Sequence, residues 1–178
     1  MDDRSEEETQ KSSDFDGTGT DCTNIDCGVA VTVHTSCNPF ISTTQVVPKC
    51  LTLGMGCRKD KDARGIAEAA QKLLDRSGFY KEAFEQIASI DLKKKEQGIL
   101  SLSQDWQIPF VTYTEEELKQ VPGEFTPSPF VKKITGVDNV CERSAVLASG
   151  NGRLLQRKTG ENGVTTAVAA REWRIHFE

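Results

Sequence analysis

The apolar residues of this chain fall into short runs separated by polar, charged and glycine-containing segments. One run repeats at the spacing of a single helix face, and its members are Ile66, Ala69, Ala70, Leu73 and Leu74. Asp62 can cap the start of this helix, and Gly78 stands where a C-terminal cap glycine belongs. The pattern therefore predicts a helix from Asp62 to Ser77.

Other short runs predict strands and shorter helices. The predicted strands are Val29–Val33, Leu51–Leu53, Ile87–Ile90, Pro109–Tyr113, Leu154–Leu155, Val164–Ala169 and, as a further candidate, Trp173–Phe177. Further helices are predicted at Lys93–Trp106, after the Thr114/Glu117 capping box, from Ser128-Pro129 to Gly136 and from Asn139 to about Ser149. Strands alternate with helices early and a hairpin comes late, so we expect an α/β fold. It is a mixed β-sheet of about five strands with helices on both faces, in three layers.

Composition and charge divide the chain into three parts. The net charge is −5, but residues 1–26 hold nine acids and two bases, which leaves +2 for the remainder. We expect residues 1–23 to be a disordered acidic tail. Residues 24–49 are expected to be a linker or the remnant of a preceding region, and residues 50–178 to form the α/β domain.

The charge, apolar content and cysteines also limit the function classes. Mild positive charge suits a small polyanionic ligand and is too weak to indicate nucleic acid. No apolar run approaches the roughly 20 residues of a membrane span, and the acidic start is unlike a signal peptide. We therefore expect a cytoplasmic protein with six reduced cysteines. With two histidines and no Cys-x-x-Cys pair, ordinary thiols are favoured over a zinc site, and no metal site is predicted.

The segment Gly54–Arg58 is the first candidate site, because it is predicted to be a loop between a strand and a helix. Glycines allow a ligand to approach the backbone, and a helix N-terminus favours anions. A dinucleotide fingerprint would place a third glycine where this chain has Lys59, and no phosphate-loop motif occurs. The alternative interpretation is a tight turn with no ligand.

Other polar residues have ordinary structural explanations beside any functional one. Lys93 and Glu96 have the spacing of a surface helix pair, Glu142 can cap the helix of Asn139, and Ser128 can cap its own helix. Two histidines, one near each end of the chain, make a Ser-His-Asp triad improbable.

The order of several motifs resembles the C-terminal domain of the CbiG family of cobalamin biosynthesis proteins. The matching pieces span about residues 45–170 and are Leu53–Lys59, Ser89–Lys93 with Glu96, Ser128 between two prolines, Gly136-Val137, Asn139–Ala145, Lys158 and Val164–Ala169. Each fragment is unspecific, but their joint order and spacing match well. CbiG proteins also carry an N-terminal domain and a middle region, and here only residues 24–49 resemble the end of that region.

The resemblance implies a role in anaerobic cobalamin synthesis. CbiG-type proteins use water to open the lactone of cobalt-precorrin-5A, and they release acetaldehyde and give cobalt-precorrin-5B. A related stand-alone domain, CobE, occurs in the aerobic route. We expect this chain to act as such a hydrolase module without a cofactor of its own, since cobalt arrives inside the substrate. A separate CbiG N-terminal half and other cobalamin-pathway enzymes are the expected protein partners.

The candidate site residues follow from this hypothesis. Glu142 and Glu96 are the candidate catalytic bases, and backbone amides from Gly54 to Cys57 are candidate oxyanion donors. The candidate substrate-binding residues are Gly54, Gly56, Cys57, Arg58, Lys93 and Ser128. Two alternatives remain open: a non-catalytic domain that binds or escorts a corrinoid intermediate for a separate enzyme half, and a general anion-binding domain unrelated to corrins.

Overall fold

The structure is a computed structural model that describes residues 26–174. Its strands are β1 (Cys27–Val31), β2 (Ser42–Val46), β3 (Leu51–Cys57), β4 (Phe84–Ile90), β5 (Phe110–Tyr113), β6 (Arg153–Glu161) and β7 (Val164–Ala170). Its helices are α1 (Ala63–Ser77), α2 (Gln97–Trp106), α3 (Glu115–Gln120), α4 (Pro129–Thr135) and α5 (Val140–Ala148), with single 3-10 turns at Lys81–Ala83 and Asp91–Lys93. The predicted disordered tail, residues 1–23, lies outside the described residues, as does most of the predicted last strand.

Five strands form one mixed sheet in the order β5-β4-β3-β7-β6, which confirms the predicted fold class. Strands β3, β4 and β5 are parallel, whereas β7 is antiparallel to both β3 and β6. The carboxyl ends of β3, β4 and β5 therefore lie at one edge of the sheet, together with the turn between β6 and β7. This edge, formed by Cys57, Ile90, Tyr113 and the turn Asn162-Gly163, is called the carboxyl edge below.

Helices cover both faces of the sheet. On one face, α1 packs its predicted apolar stripe against Leu53 and Met55 of β3, and α2 packs beside α1. Asp62 accepts a hydrogen bond from the Gly65 N–H and Gly78 adopts a left-handed conformation, so both predicted caps are confirmed. On the other face, α5 lies across β3, β4 and β7, with α3 beside it. Within residues 26–174, no helix is long and apolar enough to cross a membrane.

The prediction of a loop at Gly54–Arg58 is wrong, because residues up to Cys57 belong to β3. Gly54 is needed for packing: a Cβ there would lie 1.8 Å from the Cys141 carbonyl oxygen and 2.8 Å from the Ala145 Cβ. Neither Gly54 nor Gly56 has a positive φ. Gly54 therefore allows α5 to approach the sheet closely, and its backbone is covered by a helix.

Three further predictions differ in detail. The predicted helix Lys93–Trp106 is a 3-10 turn followed by α2, and β4 begins earlier than predicted, at Phe84. Helix α4 begins at Pro129 and ends at a left-handed Gly136 as predicted, but the Ser128 side chain makes no capping hydrogen bond. The Ser128 N–H instead donates to the Asp138 carbonyl, which ties the start of α4 to the residues after its end.

Residues 26–49 contain a small second sheet, in which β1 and β2 are parallel. Strand β1 overlaps the predicted strand Val29–Val33, whereas β2 has a polar sequence and was not predicted. Two backbone hydrogen bonds attach this segment to the residues after α1: Tyr80 N–H to Val33 O, 2.9 Å, and Thr35 N–H to Gly78 O, 2.8 Å. The predicted strand at Trp173 is absent where it is described, since Trp173 and Arg174 are not in a strand.

Candidate functional site

The carboxyl edge is where an α/β sheet of this kind usually binds its ligand. Four of the predicted site residues lie there: Cys57 ends β3, Arg58 follows it, and Lys93 and Glu96 lie just after β4. The pKa of the Cys57 thiol responds to the charges of Lys93, Glu96 and Lys61, so these side chains are neighbours in space. The fold thus brings together residues that are almost 40 positions apart in sequence.

Lys93 and Glu96 form a largely buried ion pair. The Lys93 Nζ lies 2.8 Å from the Glu96 Oε2, and the two side chains are 14% and 7% exposed. The other carboxylate oxygen, Oε1, accepts no hydrogen bond within the described part of the chain. No fully buried side-chain oxygen or nitrogen in that part lacks a partner, so Oε1 keeps some surface that is accessible to solvent. Glu96 therefore has one oxygen held by a cation and one oxygen that water can reach.

Cys57 lies beside this ion pair and remains a neutral thiol. Burial raises the pKa of Cys57, Lys93 and Lys61 act in the opposite direction, and Glu96 adds to the increase. The thiol is half-buried at the end of β3. Since the thiolate is the nucleophilic form, the surroundings of Cys57 favour a contact with a ligand over attack on it.

Arg58 is fixed at the carboxyl edge by Gly163. The Arg58 N–H donates to the Gly163 carbonyl at 3.0 Å. A Cβ on Gly163 would lie 3.1 Å from the Arg58 Cδ, so the arginine stem packs directly over this glycine. Among the described residues, the Arg58 guanidinium makes no ion pair or hydrogen bond, and the residue is exposed. Its fixed stem and exposed head suit the binding of a carboxylate.

Glu142 lies in a different environment from Glu96. It is fully buried, and its carboxylate accepts three hydrogen bonds: Thr126 N–H at 2.8 Å, Thr126 O–H at 2.8 Å and Lys158 N–H at 2.6 Å. Asn139 completes the group, since its side chain accepts from the Glu142 N–H and donates to the Thr126 carbonyl. We call these four residues the Glu142 network. Both carboxylate oxygens are occupied, which leaves no oxygen for a catalytic water.

The remaining predicted site residues are placed apart from the Lys93–Glu96 pair. Gly54 is covered by α5, and the Gly56 carbonyl accepts a hydrogen bond from the Thr165 hydroxyl at 3.2 Å. Ser128 is half-buried on the α5 side of the sheet, and its hydroxyl makes no hydrogen bond with the described residues. The backbone amides of Gly54 to Cys57 lie within β3 and not in the loop that was predicted to present them to an oxyanion.

At this edge the sequence interpretation predicted the late hairpin, but it did not predict a bulge in β6. Asn162 and Gly163 both have positive φ, as expected for a two-residue hairpin turn, and the Asn-Gly dipeptide predicts such a turn. Strand β6 contains a β-bulge, because Gln156 pairs with Val168 and Thr159 pairs with Thr166. Arg157 and Lys158 thus face one residue of β7. No local pattern in the sequence predicts that bulge.

The cysteines and acids do not assemble into a metal site within residues 26–174, where no three potential ligands lie together. The five cysteines of that range are unpaired. Burial raises the pKa of the Cys141 thiol to about 12, so this residue stays protonated inside the fold. Cys141 therefore behaves as a small apolar side chain on the buried face of α5.

The known proteins to which this chain is similar belong to cobalamin biosynthesis. Residues 51–169 match the model of the family described as Cobalamin synthesis G C-terminus. The chain is 35% identical over 124 residues to the cobalt-precorrin-5A hydrolase of Salmonella typhimurium, covering 70% of this chain and 35% of that protein. It is 34% identical to the hydrolase of the same name from Priestia megaterium, covering 68% of this chain and 32% of that protein. The chain thus spans about a third of the length of the curated relatives that it matches.

A solved structure shares most of the fold. The crystal structure of CobE, described as a protein from the cobalamin (vitamin B12) biosynthetic pathway, superposes with a TM-score of 0.63 at 28% identity. The match covers 70% of this chain and 92% of the CobE chain. Residues 51–169 of this chain therefore correspond to nearly the whole of a separate protein and to one part of longer ones.

Proposed function

Because the chain belongs to the family of cobalamin synthesis G C-terminal domains, we propose that it opens the lactone of cobalt-precorrin-5A at its carboxyl edge. The observation that carries this proposal is the Lys93–Glu96 ion pair beside Cys57, with a solvent-accessible carboxylate oxygen. In this reaction the oxygen of water bonds to the lactone carbonyl carbon and the ring C–O bond breaks. The freed hydroxyl of the two-carbon unit then becomes the carbonyl of acetaldehyde as the carbon–carbon bond to the macrocycle breaks. The macrocycle takes up the electron pair and a proton, and cobalt-precorrin-5B is the corrin product.

Glu96 is the residue that activates water in this proposal. Its Oε1 can accept a proton from water, and the proton is then delivered to the departing ring oxygen. Lys93 holds the carboxylate through Oε2, so the orientation of Oε1 is fixed. In this proposal the Lys93 ammonium also stabilises negative charge on the attacked carbonyl oxygen. Glu142 has no comparable free oxygen.

Arg58 and Ser128 bind the substrate in this proposal. A cobalt-precorrin carries acetate and propionate carboxylates around its ring, and the exposed Arg58 guanidinium can bind one of them in a bidentate manner. The half-buried Ser128 hydroxyl is available to a second polar group. Cobalt enters with the substrate, so no resident cofactor is part of the proposal. Unpaired cysteines agree with a reducing, cytoplasmic setting, which we also propose.

A second function is favoured by the match to CobE. That protein consists almost entirely of this domain, whereas the named hydrolases are about three times as long as the matched region. The chain would then bind the corrin intermediate and present it to a separate enzyme half. In this case Arg58 and Lys93 keep their roles, and Glu96 only orients Lys93.

A titration with cobalt-precorrin-5A, followed by an acetaldehyde assay, tests both functions. Binding with acetaldehyde release supports the hydrolase, and binding without release supports the escort function. Absence of binding would contradict both. Arg58→Ala should weaken binding about tenfold, since a charge-assisted pair is lost. Arg153→Ala is the matched control, because Arg153 lies at the opposite end of the sheet and should leave binding unchanged.

A further inference from the structure

The Glu142 network joins the start of a helix, a loop and a strand bulge. Glu142 belongs to the first turn of α5, Thr126 lies in the loop before α4, and Lys158 lies in the bulge of β6. A bulge leaves a ladder N–H without a partner on the neighbouring strand. Here the Lys158 N–H donates to the Glu142 carboxylate at 2.6 Å. One buried side chain therefore accepts hydrogen bonds from a backbone N–H of the bulge and from a backbone N–H of the loop.

The carboxylate is held without an ion pair. Within residues 26–174 no lysine or arginine nitrogen lies within salt-bridge distance of Glu142, and its three partners are neutral donors. Its place at the third position of α5 adds favourable interaction with the helix dipole. An ionised carboxylate needs donors on both oxygens, and the network supplies them. Glu142 is thus suited to fixing the positions of Thr126 and Lys158.

The position of Lys158 is set by the bulge and by the Glu142 network together. The Lys158 N–H bonds to Glu142 in the first turn of α5, so Lys158 lies beside the start of that helix. No carboxylate of the described residues pairs with Lys158. The same network holds Thr126, and Ser128 follows two residues later. Lys158 and Ser128 are therefore positioned by one group of hydrogen bonds.

We propose that Glu142 is a positioning residue, which presents Lys158 as an additional binding residue for a substrate carboxylate. This inference rests on the proposed function, since it names a further residue for the same substrate. It replaces the hypothesis that Glu142 is a catalytic base. Bulges commonly re-aim a side chain next to a binding site, and the network fixes that orientation.

Hydrogen exchange tests the positioning role without any substrate. Thr126→Val removes one donor to Glu142 and keeps the size of the side chain. Exchange of the Lys158 and Thr126 amides should become about fivefold faster, because one net hydrogen bond is lost. Thr126→Ser keeps the hydroxyl and should restore slow exchange. Unchanged exchange in Thr126→Val would overturn the proposed network, whatever the chain binds.

A double-mutant cycle tests the link to the substrate. Lys158→Ala leaves the backbone N–H in place, so amide exchange should stay slow while binding of cobalt-precorrin-5A weakens about tenfold. In a protein that already carries Thr126→Val, adding Lys158→Ala should weaken the binding of cobalt-precorrin-5A by clearly less than tenfold. The reason is that Lys158 is already misplaced in that protein. Additive effects, or a Lys158→Ala variant that binds like the wild type, would contradict the proposal. If the wild-type chain binds no precorrin, both the proposed function and the binding role of Lys158 are wrong. The hydrogen-exchange experiment still decides whether the Glu142 network exists.

Discussion

Glu96 and Glu142 are both buried glutamates, but their surroundings give them different capabilities. Glu96 shares one oxygen with the Lys93 ammonium, and water can reach the other. Glu142 is fully buried, and its two oxygens accept hydrogen bonds from three neutral donors. Burial of a carboxylate is therefore a poor guide to catalysis. The number of unoccupied oxygens separates a group that can accept a proton from one that holds a structure together.

Replacing Glu96 should produce the largest effect on activity. Glu96→Gln removes the proton acceptor, so acetaldehyde release should fall at least about a hundredfold if Glu96 is the general base. The Tm should fall by several degrees, because the buried Lys93 ammonium loses its counter-charge, although the amide can still accept its hydrogen bond. Acetaldehyde assays and thermal unfolding of the same preparation check both statements. Activity above a tenth of the wild-type value would exclude Glu96 as the base.

Replacing Glu142 should instead have its main effect on stability. In Glu142→Gln the new NH2 group must face an N–H or O–H donor, so at least one buried donor loses its acceptor. We expect a loss of about 2 kcal/mol in the free energy of unfolding. For a domain of this size that lowers the Tm by roughly 4–8 °C. A Glu142→Gln protein with an unchanged Tm and no activity would restore the catalytic interpretation.

A smaller effect is expected from the glycine that positions Arg58. Gly163→Ala adds a Cβ about 3 Å from the Arg58 stem, at a φ of +81°. Binding of cobalt-precorrin-5A should weaken about fivefold, because the added Cβ forces Arg58 to shift. Gly150→Ala is the matched control. It has a similar φ of +71° and no atom within 4 Å, so it should share the strain and leave binding intact.

The smallest effect concerns exposed carboxylates near the same edge of the sheet. Lys72 and Arg76 hold the pKa of Glu161 below its usual range, and the Gly65 N–H and Lys61 do the same for Asp62. Because the folded-state pKa is lower than the unfolded one, these groups stabilise the fold above the unfolded pKa. That stabilisation is lost as the pH falls through the folded pKa. Between about pH 5 and pH 3, the Tm of a Glu161→Gln/Asp62→Asn double variant should therefore fall by less than the Tm of the wild type. Equal losses would contradict this assignment.

Local features of the sequence predicted much of the fold. The apolar stripe and both caps of α1, the Thr114/Glu117 capping box and the β6–β7 hairpin depend on residues within a few positions of each other. Gly54 was misplaced in a loop because its role depends on the backbone of Cys141, which is distant in sequence. Strand β2 was missed because Ser42–Val46 lacks apolar alternation.

The candidate site was predictable to a similar extent. The spacing of Lys93 and Glu96 indicated their pairing, and the segment ending at Arg58 indicated one position of the site. The sequence did not indicate that Glu142 would be surrounded by donors, because Thr126 and Lys158 each lie 16 residues away and one of them is in a bulge. Such a network exists only once the sheet and α5 have packed together.

The most direct test of the central claim is to react cobalt-precorrin-5A with the purified chain in water enriched in oxygen-18. We expect acetaldehyde release together with one oxygen-18 atom in the new carboxylate of the corrin product, and loss of both in Glu96→Gln. Tight binding of the precorrin with no labelled product would contradict the hydrolase and leave the escort function.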